Sequence, residues 1–219
     1  MMRYKEFELE IKGHAGNIKN SFYAQEHRSG KLAIIFPGFK YTCSMPLLYY
    51  PTLLLLDSGY DALLVKLGYN ANKAFAAARD KEQTEWIKDD ATASANAALA
   101  YTSYNHLIIV GKSIGTISAA FVLESCNTPK DTATVWITPL LNETKTFEAM
   151  KRLSNGRSVL AIGTADQIFD KNKVEELKNA GMRTIIAKNA DHSMITKGNV
   201  PGSIRALKDI LQELKRIVE

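Results

Sequence analysis

Cysteine is scarce. Cys43 and Cys126 are the only two in 219 residues. They cannot make a disulfide framework, and reduced thiols in a cytoplasmic protein are the expected state. Histidine and cysteine at metal-ligand spacing, such as H-x3-H or C-x2-C, are also lacking, so no metal is expected. Like charges never run to five in a row, and the net charge is a mild +5. A nucleic-acid partner is therefore not expected. The longest apolar stretch, Met45 to Leu56, is too short to span a bilayer and holds Pro46 and Pro51. The opening residues, MMRYKEFELEIKG, are charged throughout and lack the apolar centre of a signal peptide. Repeats, linkers and low-complexity tracts are missing too. What remains is a chain 46% apolar and 23% charged, with the length for a single domain over residues 1–219 and a full core.

The apolar pattern is of two kinds. Residues 3–11 alternate, with Phe7, Leu9 and Ile11 on one face and Glu6, Glu8 and Glu10 on the other. That is a half-exposed strand. After a turn at residues 13–17, Ile18 to Gln25 can return as its hairpin partner. Six continuous apolar runs follow: Leu32–Phe36, Ala62–Val65, Leu107–Val110, Thr134–Ile137, Val159–Gly163 and Thr184–Ala187. The gaps between them hold 20 to 41 residues, enough for a crossover helix each. Continuous apolar strands alternating with helices predict a mostly parallel sheet covered on both faces, an α/β fold of about six to eight strands with an antiparallel N-terminal hairpin. Expected helices start at Ser44, with Pro51 either kinking or opening that one, and cover residues 80–104, Thr146–Leu153 and Asp170–Ala180. A last helix opens at Ser203 with Ile204, Leu207, Ile210, Leu211, Leu214 and Ile217 as its buried stripe.

One stretch organises the rest. Leu107 to Val110 reads as a strand, Thr116 to Glu124 as a helix, and Gly111-Lys112-Ser113-Ile114-Gly115 between them fits G-x-S-x-G. A serine on a sharp strand-to-helix turn needs neighbours without a Cβ, and the turn lifts its hydroxyl clear of the sheet. The helix N-terminus behind it offers free N–H groups to a developing oxyanion. Gly111-Lys112-Ser113 also ends like a phosphate-binding loop, but that motif needs a glycine where His106 stands.

In open α/β sheets, chemistry gathers beyond the carboxyl ends of the strands. Three of those ends carry Ser113, Asp166 and His192. Nucleophile, acid and base thus come in the order Ser, Asp, His. The chain resembles the α/β-hydrolase superfamily, and within it the small, lid-poor enzymes of dienelactone-hydrolase and carboxylesterase type. The residues that carry the resemblance are Gly111 to Gly115, Gly163-Thr164-Ala165-Asp166 and Ala190-Asp191-His192-Ser193. The resemblance implies a three-layer α/β/α hydrolase fold with no substantial cap domain. It implies Ser113 as nucleophile, His192 as general base and Asp166 as its orienting acid, with no cofactor. Asp170 is the alternative acid. The family's oxyanion hole would use the N–H of Ile114 and one from the loop after the first long strand, where Phe39 is the best match and Lys40 the alternative. That loop departs from the family's usual His-Gly in having Pro37-Gly38, and Pro37 has no N–H to give.

The stretch from Ile137 to Val159, where many relatives insert a lid, has room for one short helix. An open, shallow pocket is therefore expected, bounded by the loop from Phe39 to Tyr50 and by Tyr69. Lys40, Tyr41, Tyr69 and Lys112 are the candidate substrate-binding residues. The implied activity is cleavage of small ester, thioester or lactone substrates through an acyl-enzyme. The alternative is a catalytically silent relative that binds a ligand or partner. A small-molecule acyl substrate is the expected partner, with no membrane.

Overall fold

In the computed structural model, which describes residues 4–154 and 156–219, eight strands form one sheet. They are β1 (Tyr4–Gly13), β2 (Gly16–Gln25), β3 (Lys31–Phe36), β4 (Asp61–Leu64), β5 (His106–Lys112), β6 (Asp131–Ile137), β7 (Ser158–Gly163) and β8 (Arg183–Ala187). Their order across the sheet is β1-β2-β4-β3-β5-β6-β7-β8. The hairpin β1–β2 is antiparallel and joins β4 antiparallel, and every pairing from β4 to β8 is parallel. The expected strand start at residue 3 lies outside the described residues.

Side chains on a strand alternate between faces, and this sorts the core into two halves. Leu32, Ile34 and Phe36 of β3, Leu107 and Ile109 of β5 and Trp136 of β6 pack on one side. There they meet α3 (Asp80–Leu99), α4 (Ile114–Ser125), α5 (Thr144–Arg152) and α6 (Lys171–Asn179). Ala33, Ile35, Ile108, Val110, Val135 and Ile137 face the other way, against α1 (Pro46–Asp57) and α7 (Val200–Val218). The result is three layers, helices on sheet on helices. Small residues Ala91, Ala95 and Ala98 let α3 lie close to the sheet.

Several local expectations shift. Helix α1 runs on through Pro51, and its N-cap is Met45, because the Ser44 hydroxyl bonds that of Thr42 at 2.7 Å instead. Helix α3 stops at Leu99, not at residue 104. Helix α7 opens at Val200, earlier than Ser203, because the Asn199 side chain accepts from the Gly202 N–H and Pro201 suits the first turn. Its buried stripe is Ala206, Ile210, Leu214 and Ile217. Ile204 sits two residues from Ala206, about 200° around the helix, and is 61% exposed. A 3-10 turn at Tyr69–Ala71 and the short helix α2 (Lys73–Ala77) occupy a crossover in which the sequence offered no period.

The turn after β7 is packed tightly. A Cβ on Gly163 would stand 2.0 Å from the Ala190 carbonyl oxygen, in the loop that follows β8. Backbone cannot yield as a side chain can. Gly163→Ala is therefore expected to lower stability by about 2 kcal/mol or more, read as a lower urea midpoint. An unchanged midpoint would show that the loop after β8 moves freely.

Candidate active site

Ser113 sits between the last residue of β5 and the first of α4. Its backbone is left-handed, with φ 53° and ψ −122°. A non-glycine residue holds such a conformation only where its surroundings impose it. Here the Ser113 N–H donates to the Ile137 carbonyl at 3.0 Å. The Ser113 carbonyl accepts from the Thr116 N–H at 2.9 Å and from the Thr116 hydroxyl at 2.6 Å. Both peptide groups are tied, so the hydroxyl is aimed.

Two further strand ends meet it. The His192 ring lies with Nε2 2.8 Å from Ser113 Oγ and Nδ1 2.8 Å from Asp166 Oδ2. The second Asp166 oxygen accepts from the Ile168 N–H at 3.0 Å. The Asp166 side chain is fully buried, whereas that of His192 is 34% exposed. Burial pushes the Asp166 carboxyl up. The hydrogen bonds from His192 and Ile168, with the charges of His192 and Lys112, outweigh it and hold the group below the ordinary carboxylate range. The loop carrying His192 is knotted by its neighbour: the Asp191 side chain accepts from the N–H groups of Ser193 and Ile195. Asp170, the alternative acid, is the N-cap of α6, its carboxylate accepting from the Asn172 and Lys173 N–H groups.

The loop after β3 closes beside the serine. Gly38 donates to the Tyr41 carbonyl at 2.9 Å, and a Cβ on Gly38 would be 3.5 Å from Ser113 Cβ. The Gly38 N–H is thus engaged, while those of Phe39 and Ile114 meet no acceptor among the described residues.

The four residues expected to bind substrate divide. Lys40 is exposed and lines a cavity beside the loop after β3, and Tyr69 lines it too. Tyr69 is otherwise committed: it is buried, donates to Asp90 at 2.9 Å and stacks on Phe75. Tyr41 instead supports α1, its hydroxyl accepting from the Leu47 N–H. Lys112 points away from solvent, 2% exposed, with Nζ 3.1 Å from the His192 carbonyl and 3.2 Å from Thr138 Oγ1. The pleat explains this: Lys112 follows Val110 by two residues and so falls on the α1 side of the sheet.

The cavity measures about 690 Å³, larger than the shallow recess expected. The hairpin creates it. Tyr4, Glu6, Ser21 and Tyr23 of β1 and β2 extend the α1 face of the sheet, and together with Leu53 and Leu56 of that helix they line the groove. Leu64, Val65 and Cys43 line it as well. Burial pushes the Cys43 thiol up to about 12, which leaves it unreactive. No group of three or more metal-ligating side chains occurs among the described residues. No helix among them is long and apolar enough to cross a membrane.

No family model matches the chain, and no curated protein matches it in sequence. Solved structures do. A putative α/β hydrolase of unknown function from Agrobacterium tumefaciens is 16% identical with a TM-score of 0.72, covering 96% of this chain and 95% of its own. An esterase from Pyrococcus furiosus is 16% identical at a TM-score of 0.66, covering 99% and 94%. A serine hydrolase without a lid from Xanthomonas campestris is 15% identical at 0.66, covering 98% and 94%. The chain has the α/β-hydrolase fold. Between β6 and β7 the described residues hold one helix, the nine-residue α5.

The lowered Asp166 carboxyl has a thermodynamic consequence. A group whose folded pKa is depressed adds stability above its unfolded value and loses it as the pH falls through the folded one. Wild-type protein should therefore lose urea resistance on acidification below the ordinary carboxylate range, and Asp166→Asn should lose less over the same interval. Parallel curves would mean that the carboxylate gains nothing on folding.

Proposed function

We propose that this chain is a serine hydrolase that cleaves small ester-type substrates through an acyl-enzyme. The observation that carries the reading is the unbroken hydrogen-bonded series from Ser113 through His192 to Asp166, set on a strained turn at the carboxyl edge of the sheet. His192 takes the Ser113 proton as the oxygen attacks the substrate carbonyl, then returns it to the leaving alcohol, thiol or ring oxygen. Asp166 keeps the imidazole in the tautomer that accepts at Nε2 and stabilises the imidazolium. The N–H groups of Phe39 and Ile114 receive the oxyanion, aided by the N-terminus of α4. Water then repeats the sequence on the acyl-enzyme. The esterase and serine hydrolase among the similar structures support an ester substrate.

The cavity adds a size. Ser113 and His192 do not line it, but Gly38, which does, abuts Ser113, and its walls include Leu53, Leu56, Leu64 and Val65. One arm of the ester fits there, apolar along its length, with Lys40 at hand for an anionic end. At about 25 cal/mol per Å² of apolar surface, each methylene buried adds about 0.8 kcal/mol of binding.

Incubation with a fluorophosphonate should add one adduct to the intact mass of the wild type and none to Ser113→Ala. Asp166→Asn should lower kcat by about 10³ to 10⁴. A folded wild type that takes no adduct and turns over no p-nitrophenyl acetate or butyrate sinks the reading. Among p-nitrophenyl esters, kcat/KM should rise from acetate to octanoate. Leu53→Trp, which narrows the cavity, should flatten that rise while leaving acetate turnover intact.

A further inference from the structure

Lys112 is the buried charge that the chemistry above leaves without a part. It ends β5, one residue before the nucleophile, and its side chain is among the largest fully buried ones in the protein. Methionine or leucine would fill the same space with no charge to desolvate. No carboxylate lies within 4 Å of its Nζ among the described residues. Its partners are instead two oxygens and a ring face. Thr138 Oγ1 lies at 3.2 Å, the His192 carbonyl at 3.1 Å and the Tyr41 ring centroid at 4.7 Å.

Each partner belongs to a different part of the site. Thr138 follows β6 in a left-handed conformation, φ 42°, with its N–H on the Ala161 carbonyl of β7 at 2.7 Å. Tyr41 closes the turn that begins at Gly38. The His192 carbonyl belongs to the general base itself. The bonds that knot the loop after β8 run through Ala190, Asp191, Ser193, Met194 and Ile195. The carbonyl of His192 is held by Lys112.

We propose that Lys112 is a positioning residue for the general base: its ammonium grips the backbone of His192 from beneath the sheet edge and holds the imidazole between Ser113 and Asp166. The proposal rests on the reading of those three residues as the reacting set. The charge matters beyond the grip. It favours the ionised Asp166, and Asp166 and Asp191 in turn favour the ammonium. Burial works against it and draws the Lys112 pKa down to about 8. The titratable groups around the ammonium are therefore Tyr41 from the loop before α1, Asp166 after β7, and Asp191 and His192 after β8. Burial raises Tyr41 above its ordinary value. Asp166 is held below the ordinary carboxylate range and Tyr41 above its ordinary value, so between those two the group that changes charge in the alkaline range is Lys112 itself. A neutral amine keeps the hydrogen-bond reach but loses charge-assisted strength. The grip thus loosens as the pH passes about 8.

The test compares wild type, Lys112→Met and Lys112→Arg. Activity is read as kcat and KM on p-nitrophenyl butyrate from about pH 6 to 9.5. The His192 ring is followed by NMR over the same range. Wild type should show an alkaline decline in kcat with a midpoint near pH 8, and a matching inflection in the His192 ring shifts. Lys112→Met should fold with stability equal to or above wild type, lose about 10²-fold in kcat with KM unchanged, and show neither the decline nor the inflection. Lys112→Arg keeps a charge that does not titrate and should recover part of the loss with a flat alkaline profile. A Lys112→Met protein with wild-type kcat and an unchanged profile overturns the proposal. So does a destabilised one whose kcat loss tracks the unfolded fraction. Should wild type neither turn over esters nor take the fluorophosphonate, the serine-hydrolase reading falls by itself. The NMR inflection still decides whether Lys112 grips His192.

Discussion

The first turn of α4 lies against the end of β3 so closely that a Cβ on Gly115 would stand 2.4 Å from the Phe36 carbonyl oxygen. On the other side of the serine, a Cβ on Gly111 would be 2.7 Å from the Gly115 carbonyl oxygen. These contacts admit backbone and exclude side chains. They force the chain to reverse within the five residues from Gly111 to Gly115, and the left-handed Ser113 is the outcome. The position of the hydroxyl, the amide of Ile114 beside it and the closeness of the loop after β3 all follow from that one approach. A site built this way needs no rearrangement to present its serine, because the fold already holds it there.

Around that turn, polar groups are graded by depth. Asp166 is wholly enclosed and satisfied on both oxygens, His192 is one third open, and Ser113 is half-buried. Burial would raise an isolated carboxyl, and the neighbouring donors reverse the sign. Lys112 has no comparable compensation, so burial prevails there and the sign goes the other way for a cation. Both pKa values fall, yet one edge of one sheet thereby favours charge on an acid and its loss on a base with a handful of side chains.

The parallel core was legible because its strands are runs of branched apolar residues, such as Leu32-Ala33-Ile34-Ile35-Phe36, with helix-length gaps between them. Ser113, Asp166 and His192 could be picked out because each lies just past such a run, and the structure brings their side chains into hydrogen-bond contact. Direction was less legible. Lys112 and Tyr41 look like site residues by proximity in sequence, yet the pleat turns Lys112 inward and α1 captures the Tyr41 hydroxyl. The alternation of β5 contained the signal for Lys112, two residues after an apolar residue of the α1 face. The groove was hidden for another reason. Its walls come from residues 4–23, 37–56 and 64–70, and nothing in the local pattern says that the hairpin and α1 share a groove. Caps were hidden as well, since Asn199 and Ser203 are both plausible starts for α7 and only the donor geometry chooses.

The strand order has a consequence for how the molecule comes into being. β3 must pair with β5 across 75 residues of sequence, counted from Lys31 to His106, before β5 can present Ser113 in register. His192 arrives only after β8 has closed on β7, the last pairing the chain supplies. Loop closures of that length make such sheets slow to assemble. During synthesis the serine emerges long before its partners and spends that interval as an ordinary hydroxyl. The three side chains meet only in a chain whose strands from β5 to β8 have paired, so their union reports the closing of that part of the sheet.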